Sequence, residues 1–80
     1  MFIESNFFKK EKKYIVVKAF SSGDTFEVNE ELVFDTSWFN RYDCCYVFEF
    51  KSLEGSKKMF WVTTIEQLLE YEKNFKLLTE

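Results

Sequence analysis

Residues 45–62, CYVFEFKSLEGSKKMFWV, contain the clearest secondary-structure signal of the chain. Aromatic side chains occupy every second position of the first half, at Tyr46, Phe48 and Phe50. This is the period of a β-strand that turns one face toward a core. A glycine-containing turn at 53–56 then precedes a second apolar run at 59–62. We therefore predict that the two runs form an antiparallel hairpin.

The chain before this hairpin predicts further strands. Residues 14–20 are rich in β-branched and aromatic residues and are followed by the turn composition of residues 21–24. Residues 26–34 alternate apolar with polar positions around a turn at Asn29. We expect a first strand, then a short arm, the turn and a second strand that ends near Phe34.

The chain after the hairpin predicts a helix. Thr63 and Glu66 have the spacing of a capping box, in which the two side chains hydrogen-bond to backbone N–H groups at a helix start. Apolar residues follow at roughly helical spacing: Ile65, Leu68, Leu69, Tyr71, Phe75 and Leu78. Asn74 tolerates the left-handed backbone that ends helices, and residues 75–77 alternate as a short strand would. Helix and strand therefore both stay open for residues 74–78.

The length and composition support one core. Of the 80 residues, 46% are hydrophobic and 21% aromatic, so we expect a single domain over residues 1–80 with a mainly β (β-rich α+β) fold. Four or five short strands over so small a core leave an edge exposed unless the sheet closes. This favours a small SH3-like antiparallel barrel with a C-terminal helix. An open antiparallel sheet with one helix packed on it is the alternative.

The residue types exclude most catalytic chemistry. No histidine occurs, which removes the usual base of serine and cysteine nucleophiles and the imidazole ligands of metals. Cys44 and Cys45 are adjacent, so they lack the spacing of a zinc site. The two glycines, Gly23 and Gly55, stand too far apart for a phosphate-binding loop. We expect no enzyme, no catalytic residue, no metal and no cofactor.

The same features favour a soluble cytoplasmic protein. Residues 1–6 place an acid and an amide where a secretion signal needs apolar residues, and the chain has no apolar run near the length of a membrane span. Adjacent cysteines in an extended segment point to opposite faces and do not easily form a disulfide. Reduced thiols in a cytoplasm are the simpler interpretation.

One segment combines the residue types that recur at binding hot spots. Trp38, Phe39, Arg41, Tyr42 and Asp43 fall together in a stretch that reads as a loop. The alternative is that Trp38 and Phe39 continue the second strand into the core while Arg41 pairs with Asp43. We favour the core for the two aromatics and rank the two interpretations equally for Arg41 and Tyr42. The candidate binding residues are Trp38, Arg41, Tyr42, Asp43 and Tyr46.

The sequence also resembles a group of small bacterial domains of unknown function. The resemblance lies in a basic turn and strand at 9–16, in Phe20, in FEVNEELVF at 26–34 and in the Arg-Tyr-Asp run at 41–43. It covers about half of the chain and implies an SH3-like barrel. Glu11 and Asn29 stand where glycines are usual in the turns of this group. Asn29 tolerates a left-handed backbone, whereas Glu11 adopts one less readily.

The function that we expect is a small non-catalytic protein-interaction module of the inhibitor, immunity or adaptor type, with another protein as its partner. The net charge of -3 opposes the attraction to phosphates that dominates nucleic-acid affinity. The alternative is a nucleic-acid-binding barrel that uses exposed aromatics and the basic stretch Lys9–Lys13. A third hypothesis is an aromatic cage for a cationic ligand, formed by Trp38, Tyr42 and Tyr46 with Asp43. Self-association into a homo-oligomer stays open.

Overall fold

The computed structural model describes residues 4–78 and is mainly β. Its elements in chain order are β1 (Lys13–Val16), β2 (Phe20–Ser22), β3 (Asp24–Phe26), β4 (Glu31–Asn40), β5 (Cys45–Ser52), β6 (Lys57–Val62), α1 (Ile65–Glu72) and β7 (Phe75–Leu77). Five strands form one antiparallel sheet in the order β6-β5-β4-β1-β7, and β2 and β3 form a separate hairpin. The expected β-rich fold with one helix near its C-terminal end is confirmed.

The hairpin of residues 45–62 is confirmed. Tyr46 lies opposite Val62, and Phe48 lies opposite Phe60, in the antiparallel register of β5 and β6. The rings of Phe48 and Phe60 stack with their centroids 5.3 Å apart. The alternation in β5 therefore directs its aromatic side chains into the core, as predicted.

The strand predicted at 14–20 is broken into β1 and β2. The N–H of Val16 still donates to Glu30 O at 2.9 Å, but the N–H of Val17 donates to Asn74 O at 2.7 Å. The chain therefore leaves the ladder with β4 after Val16. It then forms the β2–β3 hairpin, which turns at Gly23 with a φ of 77°.

Residues 75–77 form a strand, so the helix interpretation of this segment is wrong. β7 pairs antiparallel with β1, with Phe75 opposite Val16 and Leu77 opposite Tyr14. Phe75 is buried in the core, and Asn74, which precedes it, is buried as well. The need to bury Phe75 beside β1 accounts for the end of the helix before this point.

The sheet is open. Within residues 4–78 the two edge strands β6 and β7 do not pair, so the predicted closure into an SH3-like barrel is not confirmed. The β2–β3 hairpin covers the β6 edge instead. Lys58 Nζ donates to Thr25 O at 2.6 Å, and the N–H of Met59 donates to the Asp24 carboxylate at 2.9 Å. An edge whose backbone groups are satisfied in this way does not need closure.

The core lies on one face of the sheet, which we call the inner face. Phe8 is at its centre, and its ring is 5.1 Å from Phe50, 5.1 Å from Phe75 and 5.7 Å from Phe34 between centroids. The helix α1 contributes Leu68, which is fully buried. The other face of the sheet, the outer face, is left toward solvent, as is common for antiparallel sheets.

Two hydroxyl groups hold the N-terminal segment against this core. Tyr14 Oη accepts a hydrogen bond from the N–H of Lys9 and donates one to Phe7 O, both at 2.7 Å. Ser5 Oγ donates to the Glu72 carboxylate at 2.6 Å. These bonds hold the segment that carries Phe8 across the inner face.

The helix begins one residue later than predicted. Its N-cap is Thr64, whose Oγ1 accepts from the N–H of Gln67 at 3.2 Å. Gln67 Oε1 in turn accepts from the N–H of Thr63 at 2.6 Å. Thr64 therefore caps the helix, and Gln67 bonds to the residue before the cap, so the capping box predicted at Thr63 and Glu66 is not formed. Among the described residues, no helix is long and apolar enough to cross a membrane.

Two non-glycine residues adopt the left-handed backbone that the resemblance places in turns. Glu11 has a φ of 68° and Asn29 has a φ of 74°. The N–H of Glu11 donates to Phe34 O at 2.8 Å, and the N–H of Asn29 donates to Val16 O at 2.7 Å. The turn at Glu11 thus forms without glycine, because it ties the start of β1 to β4.

Candidate functional site

Two tryptophans lie in one row across the outer face. Trp38 on β4 and Trp61 on β6 are both register partners of Val47 on β5, so the three side chains share one face. Trp38 is 43% exposed and Trp61 is 45% exposed, whereas Val47 between them is 1% exposed. We call Trp38, Val47 and Trp61 the tryptophan row.

A β-bulge sends Trp38 to the outer face. Strict alternation would place Trp38 on the same face as the buried Leu32 and Phe34. Phe34 pairs with Phe50, but Thr36 pairs with Glu49, so β4 contains one extra residue between them. The bulge inverts the alternation, and Trp38 points outward. Trp38 and Phe39 do continue the second strand, but both are exposed, so the expectation that they are core residues is wrong.

The β2–β3 hairpin holds Trp61. Ser22 Oγ donates to Trp61 O at 3.0 Å and accepts from the N–H of Trp61 at 3.2 Å. Gly23 lies so close that a Cβ there would be 3.4 Å from the indole Nε1 and 3.1 Å from Met59 O. The close approach of the hairpin needs a glycine and positions Trp61 before any ligand binds.

Trp61 was not among the residues selected from the sequence. It lies in the run of residues 59–62, which are all apolar, so no alternation shows which side chain faces outward. The signal that could have found it is the hairpin register. Because Phe60 lies opposite the inward-facing Phe48, the residue after it faces outward.

Arg41, Tyr42 and Asp43 lie in the four-residue turn between β4 and β5. Asn40 organises this turn, because its Oδ1 accepts from the N–H of Tyr42 at 3.0 Å and its Nδ2 donates to Asp43 Oδ2 at 3.2 Å. The ion pair between Arg41 and Asp43, which only one of the two interpretations of this segment requires, is not formed in the described part of the chain. Tyr42 is 92% exposed at the tip of the turn.

Tyr46 lies on the face opposite Trp38. It pairs with Phe39 on the inner face, with the two rings 4.9 Å apart, and it packs against the core. A cage that needs Trp38, Tyr42 and Tyr46 together is therefore not assembled. Of the five candidate residues, the structure groups Arg41, Tyr42 and Asp43 in one turn near Trp38 and separates Tyr46 from them.

The outer face beside the tryptophan row carries paired charges. Glu49 is buried opposite Met59 and forms an ion pair with Lys57, with 3.3 Å between Oε2 and Nζ. Lys51 lies 3.9 Å from the Asp35 carboxylate at the bulge. The surface therefore combines an exposed aromatic centre with a charged rim, which is the composition of many protein interfaces.

The two thiols are free, and the buried one is poorly suited to nucleophilic chemistry. Cys44 is exposed in the turn, and Cys45 is buried at the start of β5. Burial raises the pKa of the Cys45 thiol above its ordinary value, and the nearby Asp43 carboxylate raises it further. Cys45 thus stays protonated at neutral pH, and the thiolate is the reactive form.

The described residues offer little for metal or small-molecule binding. No group of three or more histidine, cysteine or acidic side chains within residues 4–78 is placed to hold a metal ion. Three surface depressions have volumes of about 290 to 310 Å³. Charged and polar side chains dominate their walls, whereas small-molecule sites are mostly apolar.

Comparison with known proteins gives a fold relationship. No protein-family model matches the chain, and no curated protein sequence matches it either. An integron cassette protein from the mobile metagenome of Vibrio cholerae has a similar solved structure, with a TM-score of 0.75. The two sequences are 20% identical, and the superposition covers 95% of this chain and 94% of the other. At this level of identity the similarity concerns the fold.

Proposed function

We propose that this chain is a non-catalytic protein-interaction domain that binds another protein through the outer face of β4, β5 and β6. The observation that carries the proposal is the tryptophan row, in which two half-exposed indoles flank a buried Val47. Tryptophan is enriched among the residues that dominate binding energies at interfaces. Single exposed apolar residues are common on protein surfaces, but adjoining ones on a sheet face indicate a contact surface.

The construction of the face supports the same proposal. Ser22 fixes the backbone of Trp61 and Gly23 lies against its indole, which reduces the ordering that binding requires. Arg41 and Tyr42 extend the surface at the end of the hairpin and are proposed as its outer anchors. The free cysteines agree with a cytoplasmic protein, and an SH3-like relationship stays a prediction from the resemblance.

The test is affinity capture followed by titration. The wild-type chain, Trp38→Ala, Trp61→Ala and the control Leu53→Ala are immobilised and incubated with lysate of the source cells. Leu53 is 62% exposed in the β5–β6 turn, away from the tryptophan row, so it matches the tryptophans as an exposed apolar residue. Captured proteins are identified, purified and titrated against each variant by calorimetry.

We expect one partner to bind the wild-type chain and Leu53→Ala equally. Each tryptophan variant should raise its Kd by at least about tenfold, as the loss of a hot-spot residue does. Equal Kd values for all four chains would refute the proposed surface. Capture that disappears on nuclease treatment, together with binding of a single-stranded oligonucleotide that weakens steeply with salt, would support the nucleic-acid alternative instead.

A further inference from the structure

The rows on either side of the tryptophan row each carry a carboxylate. On one side the next outward-facing residue of β5 is Glu49, two residues after Val47. On the other side Asn40 lies opposite Cys45, and its Nδ2 donates to Asp43 Oδ2 at 3.2 Å. Because outward-facing residues of one strand are about 7 Å apart, both rows adjoin the indoles.

The Asp43 carboxylate is held at the outer face, although Asp43 belongs to the turn between β4 and β5. The bond from Asn40 places it there, and it is near enough to the Cys45 thiol to raise the pKa of that group. Asp43 forms no ion pair within residues 4–78. The alternation that places Trp38 and Asn40 on the outer face directs Arg41 away from it. The turn therefore adds a negative charge to this side of the row.

Glu49 adds a second negative charge, and the cation that pairs with it lies on its far side. Lys57 is the register partner of Lys51, one row beyond Glu49, so the ion pair between Glu49 and Lys57 turns its negative end toward the indoles. The Glu49 side chain is buried, and salt screens a buried charge less than an exposed one. Its field at the tryptophan row therefore persists at physiological ionic strength.

The side of the row at the edge of β6 also carries a carboxylate. Asp24 accepts from the N–H of Met59 and directly follows Gly23, which lies against the indole of Trp61. Among the described residues, no lysine or arginine side chain lies over the ring of Trp38 or Trp61. Residues 4–78 thus surround the row with acidic groups on three sides and place no cation on its rings.

We infer that the partner presents an arginine side chain to the tryptophan row, and this inference rests on the proposed function because it concerns the same surface. A guanidinium group is planar, stacks on aromatic faces and hydrogen-bonds to carboxylates, so it matches both features of the surface. It is more weakly hydrated than an ammonium group, which favours arginine over lysine. The phosphates of a nucleic acid would be repelled by the same carboxylates.

The test uses a peptide probe, acetyl-Gly-Arg-Gly-Arg-Gly-amide, and two matched peptides in which lysine or citrulline replaces arginine. Citrulline has nearly the shape of arginine but carries no charge. Binding to the full chain is followed by the indole N–H signals of Trp38 and Trp61 in ¹H–¹⁵N NMR spectra, up to about 20 mM peptide. We expect a millimolar Kd for the arginine peptide, at least about threefold weaker binding of the lysine peptide and at least about tenfold weaker binding of the citrulline peptide.

Two carboxamide variants locate the effect of charge. Asp43→Asn retains an acceptor for Asn40, and Glu49→Gln retains the size of the side chain. Each should raise the Kd of the arginine peptide at least about threefold and leave that of the citrulline peptide unchanged, whereas a structural disturbance would weaken both peptides. Glu54→Gln is the matched control, because Glu54 is exposed in the β5–β6 turn, away from the row, and its loss should change neither Kd.

Equal Kd values for the arginine and citrulline peptides would overturn the inference. Indole signals that do not move at about 20 mM arginine peptide would do the same, as would an effect of Asp43→Asn no larger than that of Glu54→Gln. A single-stranded oligonucleotide that moves these signals at lower concentration than the peptide would replace arginine with nucleic acid as the ligand. None of these results refutes a protein partner captured through the tryptophans, because such a partner can bind without arginine. Conversely, an arginine peptide that binds while captured proteins ignore both tryptophan variants would refute the proposed function alone.

Discussion

Replacing Tyr14 by Phe removes a single oxygen atom from the centre of the fold. That oxygen accepts from the N–H of Lys9 and donates to Phe7 O, each at 2.7 Å, and the ring itself is fully buried. Tyr14→Phe keeps the packing of the ring and leaves both backbone groups without this partner. The substitution therefore measures how much this hydroxyl contributes to holding the N-terminal segment against the sheet.

The expected loss follows from these two bonds. A typical hydrogen bond contributes about 0.5–1.5 kcal/mol net, and an unsatisfied buried group costs about 1–3 kcal/mol. Phe7 is half-buried and Lys9 is exposed, so water can reach part of this site. We expect Tyr14→Phe to lower the free energy of unfolding by about 1–3 kcal/mol, a large share of what a domain of this size has.

The assay is urea unfolding followed by tryptophan fluorescence, with Tyr42→Phe as the matched control. Tyr42 undergoes the same chemical change but is 92% exposed at the tip of the turn, so its free energy of unfolding should change by less than about 0.5 kcal/mol. If Tyr14→Phe unfolds at the same urea concentration as Tyr42→Phe, the reasoning about the hydroxyl is wrong.

The same hydroxyl predicts a dependence on alkaline pH. Burial raises the pKa of Tyr14 above its ordinary value of 10.0, and the Glu72 carboxylate raises it further, although the hydrogen bond from Lys9 lowers it. Because the folded-state pKa is above the unfolded-state pKa, the contribution to stability is complete below pH 10 and is lost as the pH rises through the folded-state pKa. Between pH 10 and the folded-state pKa, the wild-type chain should therefore lose up to about 1.4 kcal/mol per pH unit relative to Tyr14→Phe, and at higher pH the difference should stay constant.

Three further substitutions test individual features by thermal melts. Trp38→Ala should cost about 1 kcal/mol, against about 3–5 kcal/mol for the fully buried Phe60→Ala; equal losses would mean that Trp38 is a core residue after all. Glu11→Gly should stabilise the fold by up to about 1 kcal/mol, because glycine adopts the left-handed backbone without the steric cost of a side chain. The larger conformational entropy of glycine in the unfolded chain offsets part of this gain, and a lower melting temperature would contradict the prediction. Cys44→Ser should be neutral, whereas Cys45→Ser should cost about 1–3 kcal/mol at a buried position, and both should retain partner binding; loss of binding in a folded variant would indicate a thiol function.

The candidate surface was only partly accessible from the sequence. The residue types of Trp38, Arg41 and Tyr42 selected part of the surface proposed here, because hot-spot composition is a local property. The orientation of Trp38 could not be predicted from the sequence, because the bulge after Phe34 depends on pairing with β5. Trp61 was missed for a related reason, since its exposure follows from the register of β5 and β6.

Local pattern determined the strands of the hairpin, the β-rich class, the helix near the C-terminal end and the lack of histidine chemistry. These features depend on residue type and on periods of a few residues, which any segment carries by itself. The tertiary structure alone decided the open sheet, the strand at residues 75–77 and the two faces of β4. Each of these depends on which distant segment supplies a hydrogen-bond partner, as Asn74 does for Val17 and Asp24 for Met59, and no local pattern contains that information.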